Sequence, residues 1–457
     1  MGVMNAQNKA WTLKACIDTG IQRNIGLKQG QVSNNINAVN LKQSRDNLYP
    51  SLNLTDAPGF NFGKTQESNG TYVAQNTTSN AFALTGNVTL YNGLLNRNTI
   101  NQNKYTYEAG LQGIETTKDN LSLSILTGYM QVLADYEGVD ITETQIKTDE
   151  AQEAQTTIYV EAGKLTELNL LQIQSQLATD KLAKVNAQNQ LILAKVNLMQ
   201  LMNLPVDYSF EIERPSNIDS LLSPTALASD NIYNLAEGFL PQIKNAQLST
   251  EATESGLKVA KSLFYPKLTM SGSIRTSGIS LAYNEYYQAG PIGYVIPNPS
   301  ELVTGYTVEE NSSNNFSNLW QQSNNDFNQF IGFNLIVPIF TNYTARNSVA
   351  IAKLNIQNAE LNEESVKIGL RQAIEQAYTN MLAAAEQYKA STELLQTEAR
   401  TFGDMEKKYK IGLESATDYL VEESNYNKAQ QNVVQAKYNY LLQVKLVDFY
   451  IGKPITF

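Results

Sequence analysis

The side chains that most often do chemistry in proteins are nearly missing from this chain, which has no histidine and one cysteine among 457 residues. Without an imidazole there is no ready general base near neutral pH, and Ser-His, Cys-His and His-based metal arrangements cannot be built. A single cysteine cannot close an intramolecular disulfide. Cys16 lies among Trp11, Leu13, Ile17 and Ile21 at helical spacing, where a buried side chain is expected rather than a lipid anchor or a reactive thiol. No catalytic constellation, metal motif or cofactor motif is found, so an enzyme is not expected. Forty-four acidic against 34 basic residues give a net charge of -10, the wrong sign for gripping phosphate backbones, and nucleic acid is not expected as a partner.

The elements therefore have to supply the function. No stretch approaches the roughly 18 to 20 uninterrupted apolar residues of a membrane-spanning helix, which excludes a helical membrane protein and leaves a barrel open. Met1–Lys9 show neither a basic head nor an apolar region, so the start reads as mature-like, without a signal peptide. Two internal offsets then decide the architecture. Asn47–Leu54 recurs as Leu263–Met270, with Pro50 falling on Pro266 at an offset of 216. Val88–Tyr91 recurs as Val337–Phe340 at an offset of 249, and that register carries Leu121, Ile125, Tyr129 and Gly163 onto Leu370, Ile374, Tyr378 and Gly412. The difference, 249 − 216 = 33, places a 33-residue insertion in the second copy between Pro266 and Pro338. Two repeats, 1–230 and 231–457, are expected.

Proline costs about 3 kcal/mol inside a helix, and none occurs from Gly59 to Leu204 or from Ile339 to Lys453. Within those stretches apolar residues recur every three or four positions, which predicts long amphipathic helical hairpins over about 94–204 and 342–452, turning at Gly163 and Gly412. A helix of ~65 residues is about 100 Å long, beyond the width of an ordinary domain. Four segments instead alternate with period two, over about 48–56, 81–91, 266–275 and 327–338. One face carries Leu48, Leu52 and Leu54; Phe82, Leu84, Gly86, Val88 and Leu90; Leu268, Met270 and Ile274; and Phe327, Ile331, Phe333, Leu335 and Val337. The other face is polar.

A soluble sandwich, or a soluble coiled-coil scaffold, is the alternative to a membrane barrel. Four strands cannot close a barrel, and open edges are not tolerated in lipid, so other chains must complete the sheet. Two chains would give eight strands with a filled interior, whereas three give twelve and leave a lumen. A homotrimer with one shared barrel is expected.

In this duplicated order of helix, strand, strand, long helix, Gly turn and helix, the chain resembles the TolC family of bacterial outer-membrane efflux and secretion channels over nearly its whole length. The resemblance is carried by Trp11–Ile17 followed by Arg23-Asn24, by the Tyr-Pro-(Ser/Lys)-Leu segments, and by Val337-Pro338-Ile339-Phe340. Ala162–Thr166, Tyr409–Leu413 and the closing Leu204-Pro205 and Pro454 complete it. It implies a mixed α and β membrane protein, with a coiled-coil tunnel reaching through the periplasm of a Gram-negative bacterium below a shared 12-stranded barrel in outer-membrane lipid. It further implies a periplasmic adaptor joining the tunnel to an inner-membrane pump of RND or ABC type, with no cofactor, and a belt formed by about 205–229 and the C-terminal tail. The strand hairpins would open outward, the second loop running from about Thr276 to Asp326 with Tyr283, Tyr286, Tyr287, Pro291, Tyr294, Pro297, Pro299 and Trp320.

The resemblance also assigns sites. Tyr409, Gly412 and Asp418 match the family's gate tyrosine, turn and pore-facing aspartate, while Glu414 stands where the prototype has an arginine and Val421 where it has a second aspartate. Asn169 occupies another gate-aspartate position in the first copy. An acidic aperture from Asp418, helped by Glu422, is the expectation, with solvated helix-face carboxylates as the alternative. The adaptor-docking positions are Gly163, Lys164, Leu165 and Thr166 in one turn, and Gly412, Leu413, Glu414 and Ser415 in the other.

Overall fold

The computed structural model describes residues 10–66, 70, 72–74, 77–215, 227–279, 288–289, 293–298, 301–305, 308–309 and 319–456. Met1–Lys9, the middle of the expected belt (216–226), and Tyr283, Tyr286, Tyr287, Pro291 and Pro299 lie outside the described residues. The helices are α1 Leu13–Arg23, α2 Ile25–Asp46, α3 Leu95–Glu161, α4 Glu167–Leu201, α5 Ser229–Phe239, α6 Pro241–Ser262, α7 Leu319–Asn325, α8 Thr344–Lys410 and α9 Ala416–Tyr450. The strands are β1 Ser51–Asp56, β2 Gly59–Asn61, β3 Lys64–Gln66, β4 Tyr72–Ala74, β5 Thr77–Asn92, β6 Lys267–Ile279, β7 Gln288–Ala289, β8 Gly293–Asn298, β9 Glu301–Gly305, β10 Val308–Glu309 and β11 Asn328–Ile336.

In four pairs of helices the duplication holds residue for residue. Shifting α1 and α2 by 216 gives the bounds of α5 and α6, and shifting α3 and α4 by 249 gives those of α8 and α9. Backbone strain repeats as well: the left-handed residues Gly93, Leu94, Gly163 and Asn203 fall at the same offset on Asn342, Tyr343, Gly412 and Gly452. Each repeat opens on two helices rather than one. Asn24 ends α1 by donating its N–H to Gly20 O at 2.8 Å, and its side-chain oxygen accepts from Leu27 N at 2.9 Å, capping α2. The equivalent break in the second copy is Leu240, with Pro241 at the first position of α6, where a missing N–H costs nothing.

Contacts divide the chain into two compact units, one of 1–41, 102–254 and 353–457, the other of 42–101 and 255–352. The first unit is helical. Its larger core joins Leu13 and Cys16 of α1, Ile125, Leu126 and Tyr129 of α3, Leu198 of α4 and Leu441 of α9. A second core joins Ile232 of α5, Ile243 of α6, Ile374 and Met381 of α8, and Val444 of α9. Each such burial contributes about 1.5–3 kcal/mol. Of the expected belt, Trp11 pairs in parallel with Ile212, and the Tyr129 hydroxyl donates to Glu213 O at 2.7 Å. Arg214 lies 3.8 Å over the Tyr136 ring and pairs with Asp140 at 2.8 Å. From the tail, Ile455 packs on the larger core.

The second unit holds an antiparallel sheet in the order β1-β5-β6-β11, with β2 also on β5. Its register sets apolar residues side by side: Leu54 on Leu84, Leu84 on Ile274 and Val88 on Met270, Met270 on Phe333 and Leu268 on Leu335. Three details differ from the sequence expectation. Leu48 precedes the strand, because Asn47–Tyr49 close a turn whose N–H groups bond back into α2 and Pro50 cannot join a ladder. Leu90 is bulged out of β5, so Tyr91 partners Leu268. Phe327 and Val337 flank β11 instead of belonging to it.

Candidate functional site

The sheet and the hairpin tips are the two places where structure exceeds what stability needs. On the sheet, the apolar face is open: Leu52, Leu54, Ile331 and Phe333 are each 68–78% exposed in the single chain. The opposite face carries Asn53, Thr85 and Ser273 in facing register, with Phe330 of β11 opposite Ser273 and Asn334 opposite Thr269. The outer strands β1 and β11 each have a sheet partner on one side only among the described residues. A sheet with one apolar face, one polar face and two open edges suits lipid on one side and water on the other once its edges are paired.

The tips are built twice by the same chemistry. After α3, Lys164 N donates to Tyr159 O at 2.8 Å and Gly163 N to Val160 O at 2.9 Å. After α8, Leu413 N donates to Lys408 O and Gly412 N to Tyr409 O, both at 3.0 Å. This pair of bonds is the Schellman closure, which needs a left-handed residue, and the glycines have φ of +66° and +78°. Thr166 then caps α4: Asn169 Oδ1 accepts from the Thr166 N–H at 3.3 Å and from its hydroxyl. Ser415 caps α9, its Oγ accepting from Asp418 N at 3.1 Å and donating to Asp418 Oδ2 at 2.6 Å.

Two of the acidic gate candidates thus have a local partner. Asp418 is exposed and held by the Ser415 cap. Glu414 pairs with Lys408 at 3.3 Å, an exposed pair worth at most about 1 kcal/mol. Glu422 is half-buried on α9. Asn169 serves the Thr166 cap. The Tyr409 ring is buried and stacks on Tyr419 with centroids 4.9 Å apart and planes 20° from parallel. Ile173 of α4 and Ala416 of α9 complete that cluster, and Gln172 reaches Thr417 at 3.3 Å, so both hairpin ends meet. Of the docking candidates, Gly163, Lys164, Thr166, Gly412 and Ser415 are exposed, Leu165 is half-buried, and Leu413 is 70% exposed.

Sequence reasoning missed two things here. Tyr419 was unassigned, although its four-residue spacing to Glu423 is visible; its hydroxyl donates to Glu423 at 3.2 Å, and Glu423 is only 1% exposed. The Ser-x-x-Asp and Thr-x-x-Asn capping patterns were present in the sequence and could have explained Asp418 and Asn169. Cys16 is fully buried, which pushes its thiol up to about 12, in keeping with an inert core side chain.

Comparison with known proteins follows this architecture. Residues 17–204 and 232–453 match the outer membrane efflux protein family. The outer membrane protein TolC of Salmonella enteritidis is 22% identical over 424 residues, 90% of this chain and 76% of its own length. The fold is similar to that of the outer membrane protein VceC of Vibrio cholerae, with a TM-score of 0.75 at 15% identity over 96% of both chains. It is equally similar to CusC, with a TM-score of 0.75 at 16% identity over 99% of this chain and 96% of the other. With both halves matched and the sheet and tunnel-length hairpins in place, the chain belongs to the outer membrane efflux protein family of TolC-like channels; it is an outer-membrane efflux channel protein and not an enzyme.

Proposed function

We propose that three copies of this chain form one passive duct, with a shared barrel of four strands per copy in the outer membrane and a helical tunnel gated at its hairpin tips. One observation carries the reading: a sheet whose main path is β1-β5-β6-β11, with an exposed apolar face and, among the described residues, an open edge on either side. Alone it would leave unpaired backbone groups in lipid, each costing several kcal/mol, and twelve strands are the smallest symmetric multiple that leaves a lumen. A periplasmic adaptor would dock on the tip turns and connect the duct to an inner-membrane pump. Efflux and type I secretion both fit. Relatives of this chain are named for toxin and drug export in Aggregatibacter actinomycetemcomitans and for pyoverdine export in Pseudomonas aeruginosa, so the pump would select the cargo.

At the inner end, Asp418 of three copies would form an exposed acidic ring that attracts cations. Planar-bilayer recordings of the detergent-purified protein, with a trivalent cation on the side of the helical end, test this. Small cation-selective steps blocked by that ion, and weaker block in Asp418→Ala, are expected. Silent membranes from intact trimers carrying a tip-loosening variant would overturn the duct.

A further inference from the structure

Two buried carboxyl side chains and a half-buried third, from three helices, come together on the tip side of the helical unit. Asp149 of α3 is 3% exposed and Glu423 of α9 is 1% exposed, while Asp180 of α4 is half-buried and within hydrogen-bonding reach of Asp149. Most of their oxygens have donors. Gln145 donates to Asp149 Oδ1 at 2.8 Å, Gln176 to Asp180 Oδ2 at 3.0 Å, and Tyr419 to Glu423 Oε1 at 3.2 Å. Asp149 Oδ2, however, is buried with no donor, and the group that Asp149 meets is another carboxyl.

Two ionised carboxylates cannot sit against each other in a buried site, because desolvation and like charge both penalise the second negative charge. A cation is the other remedy, but among the described residues no three such side chains are arranged to hold a metal ion. One proton removes both penalties, turning repulsion into a strong charge-assisted hydrogen bond. We propose that Asp149 holds a proton in the folded protein, and that this buried carboxyl, with Asp180 and Glu423 beside it, is a proton-binding clasp tying α3, α4 and α9 together near the tips.

The surrounding charges agree. Burial first, then Asp180 and Glu423, push Asp149 up to about 9. Burial likewise raises Glu423, and Asp180 adds to it, against lowering by hydrogen bonds from Gln145, Tyr419 and Asp149. The groups facing Asp149 are Asp180 from α4, with Glu423 and Tyr419 from α9; Glu406 of α8 acts on Tyr419. Lys181 and Lys184 of α4 pair with Glu150 and Glu143 at the surface instead. Because the folded value lies above the ordinary Asp value of 3.8, the clasp is intact below it and is lost as pH rises through about 9. This step rests on the gated-duct reading: losing the proton puts uncompensated negative charge between the helices that close the tip, and loosens it.

Infrared spectroscopy of the purified full chain tests the proton itself. The wild type should show a protonated-carboxyl C=O band at pH 7 that disappears above about pH 9. Asp149→Asn should remove one carboxyl's worth of that band while the trimer stays intact. In bilayers, wild-type conductance should rise severalfold and reversibly between pH 7 and pH 10, and Asp149→Asn should flatten the rise. Equal bands at pH 7 in wild type and in Asp149→Asn would overturn the clasp. If channels conduct but the band does not change, the clasp fails and the duct stands. If the band behaves as expected but no variant ever conducts, the clasp stands and the duct fails.

Discussion

Asp418 shows how a residue acquires two roles. Its backbone N–H and its carboxylate are both used by Ser415, so the cap fixes where an exposed negative charge sits at the start of α9. Removing the hydroxyl with Ser415→Ala should cost about 1 kcal/mol of helix-end stability and free the Asp418 side chain, seen as faster amide exchange over 415–419 and weaker trivalent-cation block. Gly163 and Gly412 are legible from sequence as turns, and the structure gives the reason, since both are left-handed with nothing within 4 Å of an added Cβ. Gly163→Ala and Gly412→Ala should therefore cost about 1–2 kcal/mol each through backbone strain alone, read as increased exchange confined to the turns. Cys16 should resist thiol reagents until the chain unfolds, since burial keeps the thiol neutral. What was not legible is burial of polar residues: Asp149 and Glu423 occupy helix positions that look solvated by type, and only three-dimensional packing brings them together.

Among the elements, the long hairpins were the most readable, because proline exclusion and three-to-four-residue spacing both mark them. Their bounds, 95–161 with 167–201 and 344–410 with 416–450, fall inside the ranges expected from sequence. Strand ends were less readable. The bulge at Leu90 leaves no mark in an alternating pattern, and the turn at Asn47–Tyr49 resembles strand by composition. The split of the opening helix at Asn24 and Leu240 was likewise hidden, since one capping residue can end a helix and begin the next without disturbing apolar spacing. At the tips, the two leucines proposed for docking are not equivalent. Leu413 is the more exposed, so Leu413→Asp should weaken adaptor pull-down about tenfold or more without loss of trimers. Leu165→Asp should both weaken capture and destabilise its turn. Unchanged capture by Leu413→Asp would remove the second tip from the docking surface.

For the whole molecule, the repeat explains why the sheet takes two of its main strands, β1 and β5, from one half and two, β6 and β11, from the other. Offsets of 216 and 249 reproduce eight helix boundaries in pairs, so the two halves present strands and hairpins in the same order. The chain's lack of histidine, read first as a deficit of chemistry, is consistent with a protein whose work is done by shape and charge. The central claim is that three such chains share one barrel. Cysteine pairs scanned along the open edges, one on β1 such as Asn53→Cys and one on β11 such as Asn334→Cys, test it by non-reducing electrophoresis of oxidised membranes. The account predicts covalent dimers and trimers and nothing larger, because a closed ring of three uses every edge. A product that stops at dimers, or an open-ended ladder, would contradict it.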